Sequence, residues 1–245
     1  MLFRSIDFKG RVALVTGGSR GIGRAAAIAL GRAGANIAIN FREQEDAANE
    51  VADEIKAFGS RACIYRANVA IAAEVDSMFS SILNELGPID ILVNNAGLAK
   101  RLSIDEVTET DWDETITVNL KSVFLVTKAA LPHMREQKWG RIVNVSSGAA
   151  KTGGSVGIHY SASKGGVDGL SRAYASRLIN DGITVNIVSP TLIDTDMIPD
   201  KSVARNIPMG RLGTVEECAD AIVHAASNGY MTGQTILLNG GRYFG

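Results

Sequence analysis

With 245 residues, 46% of them apolar and 21% charged, the chain has an ordinary globular composition, long enough for one large α/β domain or two small ones. A formal net charge of −1 with no basic block argues against nucleic acid or an anionic membrane as partner. Cys63 and Cys218 are too few for a disulfide framework, and His133, His159 and His224 lack metal-ligand spacing. No apolar run reaches signal-peptide or membrane-spanning length, so a cytoplasmic protein without metal is expected.

In chain order, strand and helix alternate. Residues 11–16 form a short apolar strand that runs into Gly17-Gly18-Ser19-Arg20-Gly21-Ile22-Gly23, and an alanine-rich helix from Arg24 to Arg32 stops at Gly34. Further strands are expected at 36–40, 62–65, 90–94, 141–145, 184–188 and 234–238. The helices between them are expected at 44–58, 72–86 and 111–137, the last broken near Pro132, and at 155–180. Continuous apolar strands separated by amphipathic helices predict a doubly wound parallel sheet, a Rossmann fold of about seven strands with helices on both faces. No linker, repeat or low-complexity run divides residues 1–245, so one domain is expected.

Gly17, Gly21 and Gly23 follow a strand and open a helix. There glycine permits a tight turn and close backbone approach, and the helix amino terminus favours an anionic pyrophosphate. The spacing is G-x-x-x-G-x-G rather than G-x-G-x-x-G, so alone it is also compatible with a plain tight turn. A second cluster lies from Ser147 to Lys164. Tyr160 and Lys164 are four apart, which on a helix puts phenol and ammonium on one face, one turn apart. A nearby ammonium favours the phenolate and makes tyrosine a more useful proton-transfer group. Ser147 ends the apolar run 141–146, at a strand's carboxyl end, where open α/β sheets bind ligands. An isolated Y-x-x-x-K is a weak signal; its neighbours give it meaning.

Taken together, Thr16-Gly17-x-x-x-Gly21-Ile22-Gly23, Asn94-Asn95-Ala96-Gly97, Asn119, Ser147 and Tyr160-x-x-x-Lys164 resemble the short-chain dehydrogenase/reductase family. The resemblance extends over essentially the whole chain and keeps the family's order and spacing. Ser19-Arg20, Asn68-Val69, Gly210-Arg211-Leu212-Gly213 and the tail Asn239-Gly240-Gly241-Arg242-Tyr243-Phe244 are most similar to the β-ketoacyl-acyl-carrier-protein reductases. The resemblance implies a catalytic set of Asn119, Ser147, Tyr160 and Lys164. Ser147 would hold the substrate oxygen, Tyr160 would donate or accept the proton, and Lys164 would lower the Tyr160 pKa and bind the nicotinamide ribose. Asn119 would bend its helix and hold a water. It also implies that cofactor is bound by Gly17, Ser19, Arg20, Gly21, Ile22, Gly23, Asn40, Arg42, Asn68, Val69, Asn95, Ala96, Gly97, Pro190, Ile193 and Thr195, together with Tyr160 and Lys164. Thr191 replaces the glycine usual after Pro190, which puts the local turn in question.

The expected cofactor is NADP(H). An NAD enzyme places an acid at the end of the second strand, whereas here that position is Asn40, with Arg42 and Arg20 close by in the motifs. The implied reaction is reduction of a 3-oxoacyl thioester or related ketone. The alternative is a dehydrogenase of a small secondary alcohol, sugar or polyol, and a non-catalytic cofactor-binding regulator would be expected to lack Tyr160 or Lys164. Acyl carrier protein is a candidate partner, but the two basic docking positions of such reductases fall at Lys138 and Asp181, one of them acidic. The segment 194–209 would make a short lid. The family also implies a homotetramer, paired through the helices at 111–137 and 155–180 and through the tail at 234–245.

Overall fold

The computed structural model describes residues 6–198 and 200–244. Seven strands form one parallel sheet: β1 (Val12–Val15), β2 (Asn36–Phe41), β3 (Ala62–Arg66), β4 (Ile91–Asn94), β5 (Gly140–Val145), β6 (Ile183–Pro190) and β7 (Thr235–Leu238). Their spatial order is β3-β2-β1-β4-β5-β6-β7. After β3 the chain returns to the middle and builds outward on the other side. The crossovers therefore diverge above the carboxyl ends of β1 and β4 and leave a crevice there.

The five inner strands are buried on both faces at their centres, the edge strands β3 and β7 only partly, and the period-2 alternation assigns their residues to two cores. Ala13, Val15, Ile37, Ile39, Val93 and Val143 face the helices α1 (Gly21–Arg32), α2 (Glu45–Ala57) and α8 (Val215–Ser227), packing on Ala26, Leu30, Val51, Ile55 and Ile222. Val12, Leu14, Ala38, Leu92, Ile142 and Val185 face α3 (Ala72–Glu85), α5 (Ser122–Glu136) and α7 (Ile158–Leu178), where Met78, Ile82, Val126, Met134 and Leu178 fill the layer. A short α4 (Glu109–Ile116) precedes α5, and a single turn, α6 (Ala149–Thr152), precedes α7.

The helix expected over 111–137 is interrupted, but not at Pro132. Pro132 lies inside an unbroken α5. Both Pro132 and Lys128, whose carbonyl loses its i+4 partner, are exposed, so water can satisfy that carbonyl. The irregularity comes earlier, as a π-helical turn over Thr117–Lys121 centred on Asn119. Single π turns of this kind are concentrated at functional sites. The element begins at a Thr108/Asp111 capping box, two residues before the expected start.

Among the described residues no helix is long and apolar enough to cross a membrane.

Candidate active site

The loops that follow β1, β4, β5 and β6 meet over the crevice, and the first two are tied together by side chains. Thr16 Oγ1 accepts from the backbone N–H groups of Asn95 and Ala96 at 2.9 and 3.0 Å. Asn95 returns the contact, its Nδ2 donating to the carbonyls of Thr16 and Gly17 at 3.0 and 3.1 Å. The packing leaves no room at Gly23: a Cβ there would lie 2.2 Å from the Gly17 carbonyl oxygen and 2.5 Å from Asn95 Nδ2. Gly23 is therefore a close-approach glycine that lets α1 start against its own loop.

Asn40 was expected to face the cofactor ribose, and the structure corrects this. The residue is 2% exposed and turned into the protein. Its Oδ1 accepts from Gly17 N–H at 3.3 Å, and its Nδ2 approaches the carbonyls of Ala67, Tyr65 and Phe41 at 3.0, 3.3 and 3.4 Å. It braces the glycine loop from beneath, joining β1, β2 and the end of β3. Aspartate could not donate to those carbonyls and would press a buried charge against them. Asn40→Asp should accordingly cost about 2–4 kcal/mol of stability, with no gain of NADH preference. Denaturant midpoints together with NADH and NADPH titrations check this; an unchanged midpoint with a new NADH preference would restore the original reading.

The other cofactor positions are distributed as follows. Ser19 is buried, and Arg20 lies at the crevice rim with its guanidinium 4.0 Å from the Asp196 carboxylate. Arg42 is exposed and pairs with Glu43 at 3.4 Å. Asn68 and Val69 follow β3, where Asn68 Oδ1 accepts from Ala70 N–H at 3.0 Å and Val69 is buried. Ile22, Asn95, Gly97, Pro190, Ile193 and Thr195 line a cavity of about 400 Å³ together with Ser147, Tyr160 and Lys164. Gly17, Gly21, Gly23 and Ala96 form the floor of the same crevice without lining that cavity. A nicotinamide dinucleotide fits this donor set. Among the described residues no side chain caps α1 and no acid stands in its first turn, whereas α4 and α8 are closed by capping boxes. The free N–H groups of α1 are thus available to a pyrophosphate.

Asn119 does not line the cavity; it organises it. Its Oδ1 accepts from Leu98 N–H at 2.8 Å, and its Nδ2 donates to the Leu98 carbonyl at 3.0 Å and to Ser163 Oγ at 3.1 Å. The π turn is what brings this amide between the β4 loop and α7. Below it lies a buried polar chain whose role the sequence left unmarked. Asn94 donates to Asn144 at 2.8 Å and to Thr127 at 3.2 Å, and Asn144 donates to Ser171 at 2.8 Å. These bonds fix β4, β5, α5 and α7 in register under the reacting groups.

Tyr160 and Lys164 do occupy one face of α7. Lys164 Nζ lies 5.8 Å from the phenol ring centroid and donates to the Val145 carbonyl at 3.0 Å. Burial lowers the Lys164 pKa to about 8. The expected depression of the Tyr160 pKa is not found. Burial pushes the phenol up, against smaller opposing effects from the Ser147 hydroxyl and the Arg101 charge. The protonated phenol is therefore the resting form at neutral pH, ready to donate. Ser147 Oγ accepts from Ala149 N–H at 3.2 Å, which aims the hydroxyl from the start of α6 into the cavity.

Thr191 makes an ordinary turn. Its N–H and Oγ1 both donate to the Leu238 carbonyl, at 3.0 and 3.3 Å. Among the described residues Lys138 is the only non-glycine with positive φ, so Thr191 needs no glycine-like backbone. The accommodation is made across the cavity instead: a Cβ on Gly148 would lie 2.4 Å from the Thr191 methyl and 2.9 Å from Tyr243 Oη. The segment expected as a lid folds into a 3-10 helix over Lys201–Asn206 outside the cavity lining, while Met197 and Ile198 before it do line the cavity. Arg101, Arg242 and Tyr243 also line it, and the sequence offered only the tail motif as a pointer to the last two.

The model of the short chain dehydrogenase family matches residues 11–206. A 3-oxoacyl-[acyl-carrier-protein] reductase of Synechocystis is 41% identical over 237 residues, covering 94% of this chain and 96% of that protein. The like-named protein of Staphylococcus aureus Mu50 is 40% identical, covering 94% and 97%, and that of Escherichia coli K12 is 37% identical, covering 97% and 99%. With a serine, a tyrosine and a buried lysine converging beside an uncapped, glycine-lined helix start, the chain belongs to the short-chain dehydrogenase/reductase family, as an oxidoreductase of CH–OH and C=O groups.

Proposed function

We propose that this protein reduces a 3-oxoacyl thioester or a related ketone to the 3-hydroxy compound, with Tyr160 as proton donor. The observation that carries this reading is the meeting of Ser147, Tyr160 and Lys164 in one cavity, in a chain whose relatives bear the name of such reductases. Bound NADP(H) supplies or accepts the hydride. Ser147 holds the substrate oxygen by a hydrogen bond, and Tyr160 gives that oxygen its proton. Lys164 places a positive charge beneath the phenol as the proton leaves. In the reverse direction the phenolate accepts the alcohol proton.

Preference for the phosphorylated cofactor is supported by charge. The residue near the end of β2 is Asn40 rather than an acid, and Arg20 and Arg42 are both exposed on that side, although Asp196 and Glu43 lie 4.0 and 3.4 Å from them. Delivery by an acidic carrier protein is supported less well. Asp181 takes Arg135 at 3.0 Å and Lys138 at 3.9 Å, so the cation at one docking position is offset by the anion at the other. A free thioester or ketone suits this surface better. Trp112, Phe124 and Ile158 are exposed on α4, α5 and α7, the helices that the family pairs, which supports a homotetramer of a single cytoplasmic domain.

The test is a reductase assay on purified protein, with NADPH and NADH, against carrier-bound, N-acetylcysteamine-bound and ethyl 3-oxoacyl compounds. Oxidation of NADPH by the small thioester, with kcat/KM above that for NADH, is expected. No turnover of any 3-oxo compound, with rapid oxidation of a secondary alcohol instead, would replace the reading with the dehydrogenase one.

A further inference from the structure

Apart from the small effect of the Arg101 charge on the Tyr160 phenol, the reaction leaves two cationic side chains of the cavity wall without a task. Arg101, from the loop after β4, and Arg242, from the tail after β7, both line the cavity beside Ser147 and Tyr160, and both are exposed at its mouth. Among the described residues no aspartate or glutamate lines the same cavity. Neither guanidinium has a carboxylate partner among the described residues, whereas Lys100, Lys201 and Arg211 pair with Asp111, Asp194 and Glu217.

Both arginines are placed by fixed backbone. The Lys100 carbonyl meets His159 Nε2 at 3.2 Å and Leu102 N–H donates to the Val156 carbonyl at 3.0 Å, so the chain is pinned on each side of Arg101. Arg101 Nη1 makes one further contact, a long one of 3.4 Å to Ser155 Oγ. Arg242 sits in a tail turn closed by Asn239. Its own N–H donates to the Asn239 carbonyl at 3.2 Å, Gly241 N–H donates to Asn239 Oδ1 at 2.9 Å, and Asn239 Nδ2 donates to the Tyr243 carbonyl at 2.7 Å.

Single exposed arginines are ordinary surface features. Two without partners, held on separate loops over one cavity free of acids, set up a field that gathers anions at its mouth. The guanidinium fork matches a carboxylate or a phosphate. We propose that Arg101 and Arg242 select a carbonyl substrate that carries an anionic group, a carboxylate or a phosphate, seated at the cavity mouth while the carbonyl reaches Ser147 and Tyr160. The proposal rests on the reductase reading and names its substrate class. The carbonyl carbon still gains a hydride and its oxygen the Tyr160 proton, with NADPH oxidised. The arginines change which carbonyl compound arrives, not the bonds made.

Four probes with the same reacting carbonyl separate the possibilities: 3-oxobutanoate, its neutral ethyl ester, 3-oxobutanoyl-coenzyme A, and the phosphate-free N-acetylcysteamine thioester. Each is assayed with NADPH against the wild-type protein and the Arg101→Gln/Arg242→Gln variant. Losing charge-assisted hydrogen bonds should lower kcat/KM for the recognised anion about ten- to hundredfold, mostly through KM. The ethyl ester and the N-acetylcysteamine thioester should change little, which also shows that the variant is folded. A loss confined to 3-oxobutanoate supports the proposal with a carboxylate as the group. A loss confined to the coenzyme A thioester supports it with a phosphate. Equal changes for charged and neutral probes overturn it while leaving the reductase reading intact. A wild-type protein that reduces none of the four, with either nicotinamide, overturns both.

Discussion

Tyr160→Phe should lower turnover of a 3-oxo substrate by about 10²–10⁴, the usual contribution of a positioned proton donor, while NADPH still binds. Phenylalanine keeps the ring that packs at the start of α7 and removes the hydroxyl that faces Ser147. Stability should therefore change little, and the loss should appear in kcat. The pH behaviour of the wild-type protein tests the same assignment without mutation. Burial pushes the Tyr160 pKa up, so the donor form persists through neutral pH and ketone reduction should be nearly flat there. Alcohol oxidation needs the phenolate and should accelerate as pH rises. Stopped-flow measurement in both directions, with cofactor affinity measured separately by fluorescence, checks both statements. A Tyr160→Phe protein within tenfold of wild-type in kcat would remove Tyr160 from the reaction.

Much of this architecture is legible in the sequence because its strands are apolar runs and its helices end at glycine or a capping box. The continuous apolar run Val12, Ala13, Leu14 and Val15 suffices to predict a strand buried on both faces. What escaped reading depends on contacts between segments distant in sequence. Asn40 occupies a position where an acid or a neutral residue predicts cofactor choice, but three carbonyls from β2 and the end of β3 draw its side chain inward. Pro132 is a helix breaker by type, yet the carbonyl it orphans faces water, and the break moves to Asn119, whose amide bridges Leu98 and Ser163. Arg101 and Arg242 carry no local signal either. They are 141 positions apart, and only closure of the β4 loop and the tail over the same strand ends brings them to one cavity.

Lys164→Met should nearly abolish activity and, at neutral pH, stabilise the protein. Lys164 is 5% exposed, and burial brings its pKa down from 10.5 to about 8. Between pH 8 and 10.5 the unfolded chain holds a proton that the folded chain has released, so the lysine's contribution to stability rises with pH across that window. Below pH 8 the folded state bears the full cost of a buried ammonium. Methionine fills a similar volume without charge, though it leaves the Val145 carbonyl without its 3.0 Å donor. That lost bond offsets about 1 kcal/mol of the gain. The variant should exceed wild-type stability by roughly 1–2 kcal/mol at pH 7, and by pH 10 the difference should have moved roughly 2–3 kcal/mol toward the wild-type protein. Urea midpoints of both proteins at the two pH values decide the matter. A stability difference that does not move with pH would mean that Lys164 is solvated in the folded state and holds no strained charge beneath Tyr160. A movement of the expected sign, with turnover lost, identifies a charge that is kept at the expense of the fold because proton transfer at Tyr160 needs it.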